Sequence, residues 1–271
     1  MRTMRLPFSV ALSILVVALC LFVIIFAPMV APHGVNEIVG TSWDPPSAGH
    51  PFGTDMVGRD LLSRFVWGAR VTILTAGAAV LIAFAIGSGL GLLAGLRKGW
   101  LDMLLSRFVD LVMATPTLIL AMVLLTILPR SIVFIVTIIA LVEATRFFRL
   151  ARLIAADTAA LDYVEAAYLR GETTRWIIRR EILPNAITPL LAELGLRFIF
   201  SVLFLSTLSF LGLGVQPPVT DWGSLIKENK DGLLFGITAA LVPGAAIAAL
   251  ALAVTTLVDW VSVSRDGGPK R

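Results

Sequence analysis

Six apolar stretches organise this chain, at about 8–31, 70–96, 108–129, 131–150, 186–213 and 233–260. Each is long enough to cross a bilayer, which takes about 20 residues at a rise of about 1.5 Å per residue. Lipid offers the backbone no hydrogen-bond partners, so each segment must satisfy its own polar groups, and the expected spans are helices. No stretch shows the alternation of about ten residues that marks a membrane barrel. The fourth stretch is the least regular, because Glu143, Arg146 and Arg149 crowd its end. Composition agrees with a lipid-facing surface: 58% of the 271 residues are hydrophobic and only 15% charged, where a soluble domain carries about 25% charged.

The net charge of +4 would raise nucleic acid as a partner in a soluble protein. Here the placement of the basic residues accounts for it, and no nucleic acid is expected. With the N-terminus inside, the inner segments hold Arg2, Arg5, Arg97, Lys98, Arg107, Arg146, Arg149, Arg152, Arg170, Arg175, Arg179, Arg180, Arg265, Lys270 and Arg271. The outer segments hold Arg59, Arg64, Arg70, Arg130, Lys227 and Lys230, and Arg197 lies within a span. Fifteen against six favours both termini in the cytoplasm. Met1 to Arg5 followed by an apolar run resembles a signal peptide, but the run to Pro32 is too long for one and lacks a small-residue cleavage site. An uncleaved first span is expected. The single cysteine, Cys20, permits no intrachain disulfide, and His33 and His50 in a polar loop give no metal site.

Two connections are long. The outer one, 32–69, carries Asp44-Pro45-Pro46-Ser47, Gly53-Thr54-Asp55 and Gly58-Arg59-Asp60 as turn formers. Leu61, Leu62, Phe65 and Val66 then predict a short amphipathic helix on the membrane surface. The expected organisation is an N-terminal span with its extracytoplasmic loop at 1–69, a core at 70–263 with a cytoplasmic loop at 151–185, and a short cytoplasmic tail at 264–271.

The inner loop reads as two short helices broken at Gly171 and stopped at Pro184. In the first, Tyr163, Ala166, Ala167 and Arg170 fall on adjoining turns, and the alanines make a flat face. Gly171 allows a turn with positive φ. In the second, Trp176, Ile177 and Leu183 form an apolar stripe among Arg175, Arg179 and Arg180. The pattern fits a docking surface for another protein, and equally an amphipathic element resting on anionic lipid.

Glu165-Ala166-Ala167, three residues, Gly171, and a run closing on Leu183-Pro184 resemble the EAA loop of bacterial binding-protein-dependent ABC permeases. The segment Pro51–Arg64 with Gly68-Ala69-Arg70, and Leu208–Pro218 followed by Asp221-Trp222-Gly223, resemble the C-type permeases of dipeptide, oligopeptide, nickel and opine importers. The resemblance runs from about residue 50 to 262. It implies an all-α membrane protein of six transmembrane helices with the type I ABC importer permease fold. It also implies a bacterial inner-membrane location, a homologous permease partner completing a heterodimer, two cytoplasmic ATPase subunits and an extracytoplasmic substrate-binding protein. No cofactor is expected in this chain, ATP and magnesium being held by the ATPase subunits. Coupling to the ATPase would fall to Tyr163, Glu165, Ala166, Ala167, Gly171, Leu183 and Pro184. The chain departs from the family pattern at Tyr168-Leu169-Arg170, at Glu172 and at Glu143.

Other features have plainer readings. Gly91-Leu92-Leu93-Ala94-Gly95 fails the spacing of a phosphate-binding loop, no nucleophile-base set sits in a pocket, and no enzymatic activity is expected. Gly87, Gly89, Gly91 and Gly95 suit close packing of the second span. Glu193 and Arg197, four apart in the fifth span, either line the pathway or form a structural pair. Asp221 and Trp222 suit a satisfied turn followed by an interfacial tryptophan, with contact to a binding protein the alternative. A secondary transporter or channel driven by an ion gradient remains a rival; it calls for broken spans and inverted repeats, which are not evident.

Overall fold

The computed structural model describes residues 7–97 and 99–265. Arg2, Arg5, Lys98, and most of the expected tail, including Lys270 and Arg271, lie outside the described residues. The order is α1 (Phe8–Val30), α2 (Leu61–Arg97), α3 (Trp100–Ala114), α4 (Thr117–Ile127), α5 (Ile132–Thr158), α6 (Asp162–Leu169) and α7 (Thr174–Ile177). A π-helical turn (Ile178–Ile182) leads into α8 (Leu183–Phe210), then α9 (Trp222–Asn229), a 3-10 turn (Lys230–Phe235) and α10 (Leu241–Arg265). The only β pairing among the described residues is two isolated bridges inside the first loop, Ile38 with Arg59 and Thr54 with Asp60.

Among the described residues, four helical stretches are long and apolar enough to cross a membrane: α1, α2, the run from α7 through α8, and α10. The expected third span is bent by 93° between α3 and α4. Pro116 causes the break. Its ring disfavours helical backbone at the preceding residue, and Thr115 is extended, with φ −88 and ψ 131. The bent pair makes up to five spans by this measure. Helix α5 is 27 residues long, but the charges of Glu143, Arg146, Arg149 and Arg152 keep it out of that set.

Helix α2 is the axis of the molecule. At 37 residues it is about 55 Å long, well beyond the roughly 30 Å of hydrocarbon. It contributes to each of the four apolar clusters among the described residues. Buried residues make up 56% of its most apolar stretch, against 22% in α1 and in α10, so those two are peripheral. The expected surface helix at Leu61 does not exist as a separate element. Leu61 and Val66 are 1% and 2% exposed and form the first turns of α2, because α9 and the outer loop cover them.

Glycine brings α2 and α5 together. A Cβ on Gly87 would collide with the Ala144 carbonyl and Phe147. One on Gly91 would meet the Phe148 carbonyl and Ala151, and one on Gly95 the Arg152 carbonyl and Ala155. Spaced every four residues, the three form one face, and the facing side chains include alanines. Dispersion over so close a contact holds the pair where no hydrophobic effect operates between helices. Gly89 points elsewhere and faces open space.

Candidate functional site

The inner loop is built on the ends of three long helices. Leu92 and Leu96 of α2, Ala151 and Ala155 of α5, and Ala186 and Leu190 of α8 form an apolar cluster, and Val164, Ala167, Ile177 and Ile182 insert into it. The two alanines of the motif therefore part company. Ala167 is buried and Ala166 is exposed, as α-helical geometry requires of adjacent residues when only one face is covered. The expected flat face of two alanines is corrected to one alanine outside and one in the core. Outside, α6 presents Tyr163, Glu165, Ala166, Tyr168 and Leu169, the last 83% exposed.

Helix α6 ends in a Schellman-type cap. The Glu172 N–H donates to the Ala167 carbonyl at 3.2 Å and the Gly171 N–H to the Tyr168 carbonyl at 2.9 Å. Gly171 has φ +80, the left-handed region, and a Cβ there would meet nothing within 4 Å. The glycine is needed for backbone conformation rather than for space. Thr173 then caps α7, its hydroxyl accepting from the Trp176 N–H at 3.3 Å.

Pro184 does not stop the helix. It lies within the continuous helical run from α7 through α8. The turn before it widens to π geometry, the Leu183 N–H donating to the Ile178 carbonyl, which relieves the crowding a proline ring imposes on the preceding turn. Leu183 packs against the cluster, and Pro184 is exposed. Asn185 ties the two halves of the loop, its amide donating to the Tyr163 hydroxyl at 3.1 Å and to the Glu181 carbonyl at 2.8 Å.

Farther along α8, the Arg197 guanidinium donates to Glu193 at 2.5 Å. It also approaches Glu143 of α5 at 3.7 Å and lies 4.7 Å over the Phe200 ring. Three charges thus meet between two helices, all largely buried within the chain. In the sequence Glu143 stands out as a charge crowding the fourth stretch and as a departure from the family pattern; nothing in its spacing announces that α5 places it against Arg197.

At the other end, the turn-rich first loop folds as a charged staple. Arg64 of α2, 3% exposed at its side chain, reaches Asp55 and Glu228, both at 2.5 Å. Arg59 reaches the same two carboxylates at 2.7 and 2.8 Å. Burial works to raise the Asp55 pKa, but the Arg59 and Val57 N–H groups and the Arg64 and Arg59 charges outweigh it and hold it below the usual value. Asp60 accepts from the Ser63 N–H at 2.9 Å and the Ser63 hydroxyl at 2.5 Å, fixing the start of α2. No local signal in the sequence marks Glu228, because its partner Arg64 lies 164 residues away.

Asp221 is the N-cap of α9 in a reciprocal capping box with Ser224, as a satisfied turn requires. Burial raises its pKa. Trp222 is not interfacial. It is 1% exposed, its ring stacks on Phe65 at 5.6 Å, and its indole N–H donates to the Phe65 carbonyl at 3.1 Å. Gly223 lets α9 press onto Ser206 of α8, so this passage locks three helices together.

Residues 87–264 match the family model described as the binding-protein-dependent transport system inner membrane component. The chain is similar to the probable D,D-dipeptide transport system permease protein DdpC of Escherichia coli strain K12, 36% identical over 256 residues, covering 94% of this chain and 86% of that protein. It is 34% identical over 261 residues to the di/tripeptide transport system permease protein DppC of Pseudomonas aeruginosa, covering 94% and 86%. The glutathione transport system permease protein GsiD of Pectobacterium atrosepticum is 33% identical over 221 residues, covering 82% and 73%. Among solved structures, a chain of the inward-facing MetNI methionine ABC transporter superposes with a TM-score of 0.58 at 19% identity, covering 73% of this chain and 94% of that one. At that identity the likeness speaks for the fold alone.

Proposed function

This chain belongs to the family of binding-protein-dependent transport system inner membrane components, and from that premise we infer how its own residues serve transport. It is a permease subunit of an ATP-binding-cassette importer, a multi-pass protein of the bacterial inner membrane and a transporter rather than an enzyme. Such a subunit works with an ATPase and a substrate-binding protein.

The finer assignments are ours. The chain has six spans, with the bent α3–α4 pair and the charged α5 counted, and both termini are cytoplasmic. It pairs with a homologous permease as a heterodimer on two ATPase subunits, which hold ATP and magnesium. Its cargo is a peptide or a related small solute, in keeping with the names of its relatives. Residues 1–69 form the first span and outer loop, 70–263 the core with the coupling loop at 151–185, and 264–271 the tail.

One observation carries the coupling role: α6 is half in the core and half out. Val164 and Ala167 join it to the ends of α2, α5 and α8, while Tyr163, Glu165, Ala166 and Leu169 face outward. A push on the outer face is therefore passed into the apolar cluster that the ends of three long helices share, with Gly171, Leu183 and Pro184 shaping the return into α8. Glu193 and Arg197 act as a structural pair that Glu143 extends to α5. Reconstitution of the chain with its co-encoded permease, ATPases and binding protein tests this. Uptake of a radiolabelled dipeptide should require ATP. Uptake that follows an ion gradient without ATP would mark a secondary transporter instead.

A further inference from the structure

A basic hollow next to the coupling helix is left unused by that reading. Thr173, Arg175, Trp176, Arg179 and Arg180 line a depression of about 300 Å3, to which α6 contributes nothing. All three arginines are exposed. Among the described residues, no carboxylate is paired with any of them. The arginines of the outer staple and of the α8 pair have their carboxylates close by, whereas these three are gathered around one hollow without one.

The depth of the hollow identifies what can reach it. Ile177 and Ile182, on either side of the π turn, pack in one cluster with Leu92 and Leu96 at the end of α2 and with Ala186 and Leu190 at the start of α8. The arginines are therefore level with the ends of two spans, where hydrocarbon gives way to a headgroup layer roughly 5–7 Å deep. Trp176, half-buried, is the residue type that settles at that level. A guanidinium fork matches phosphate oxygens in pairs.

We propose that this hollow binds the phosphate of an anionic lipid headgroup in the cytoplasmic leaflet, with Arg175, Arg179 and Arg180 as its ligands and Trp176 as its wall. The orientation of the chain decides only which leaflet supplies the lipid. Helix α7 and the π turn join the coupling helix to α8, so a bound headgroup fixes the exit of the coupling loop against the bilayer. ATP-driven transport then depends on the anionic fraction of the membrane.

The test uses the purified full-length chain in nanodiscs of phosphatidylcholine with or without phosphatidylglycerol, reading retained lipid by native mass spectrometry and the unfolding midpoint by heating. The wild type should retain phosphatidylglycerol in preference and be stabilised by it. Each guanidinium removed should weaken retention about fivefold, and Arg175→Gln/Arg179→Gln/Arg180→Gln on the order of 100-fold. The triple lysine variant, which keeps the charge, should keep a preference over phosphatidylcholine. Equal retention by wild type and the glutamine variant overturns the proposal. Release of the lipid by millimolar inorganic phosphate would make the hollow a free-anion site and overturn the headgroup assignment. Intact lipid preference in a glutamine variant that no longer holds its ATPase would assign the arginines to the ATPase surface instead. Lipid binding is read without transport, so it stands or falls separately from the coupling role of α6.

Discussion

Single residues in this chain act through backbone conformation and charge placement, and the two can be tested apart. At Gly171 a side chain would find space, so any penalty comes from φ +80 alone. A β-branched residue there costs at least about 1–2 kcal/mol, while asparagine tolerates the left-handed region. Gly171→Val should insert normally and lose most ATP-driven uptake, whereas Gly171→Asn should retain most of it. Wild-type uptake by Gly171→Val would remove the turn from the coupling role. The Glu193–Arg197–Glu143 group makes a different demand. Arg197→Ala leaves two carboxylates facing each other without their cation, and breaking such a buried pair costs about 3–5 kcal/mol. It should lower the unfolding midpoint and the yield of assembled complex. The swap Glu193→Arg with Arg197→Glu should restore much of both if the pair is structural. Changed substrate preference in an assembled swap would place the pair in the pathway instead.

At the scale of elements, the contact of α2 with α5 and the outer staple are two different solutions to holding helices in register. The first is apolar and tight. Gly91→Leu would drive a side chain into the Phe148 carbonyl and Ala151, and overpacking of this kind costs about 1–3 kcal/mol or more. Thermal unfolding in detergent should show a clear loss of stability for Gly91→Leu and little for Gly89→Leu, whose position is open. The staple is charged and pH-dependent. Asp55 has a lowered pKa in the folded chain. Its pairing is therefore fully stabilising above the ordinary carboxyl pKa of about 3.9 and is lost as pH falls through the lower folded value. Asp55→Asn should weaken the hold of the first loop on α9 and speed its proteolysis at neutral pH. The variant should also lose less stability on acidification than the wild type.

For the whole molecule the decisive arrangement is its orientation. Single cysteines placed on a Cys20→Ser background and probed with an impermeant thiol reagent in whole cells should label within 32–69 and stay silent within 151–185. Labelling at position 165 from outside would place α6 on the wrong side for any ATPase and remove the coupling assignment. The charge count that sets this expectation is a property of the sequence, because lysine and arginine distribute across a membrane by sign and position without reference to tertiary contacts.

The places of the long helices, the all-helical class and the loop containing Gly171 were legible in the chain because each rests on local physics: apolar length, backbone self-satisfaction and one residue's access to positive φ. Gly87, Gly89, Gly91 and Gly95 also announced a close contact, though not that α5 would supply it or that Gly89 would stand outside it. What the tertiary structure alone decided involves residues far apart. It extended α2 back to Leu61 because α9 and the outer loop cover those turns. It buried Trp222 under Phe65, sent Ala167 inward and Ala166 outward, and carried the chain through Pro184 by widening one turn. It also joined Glu228 to Arg64 and Glu143 to Arg197. Burial and ion pairing depend on which surfaces meet, and a one-dimensional pattern reports a residue's own preferences but not the neighbour that packing brings to it.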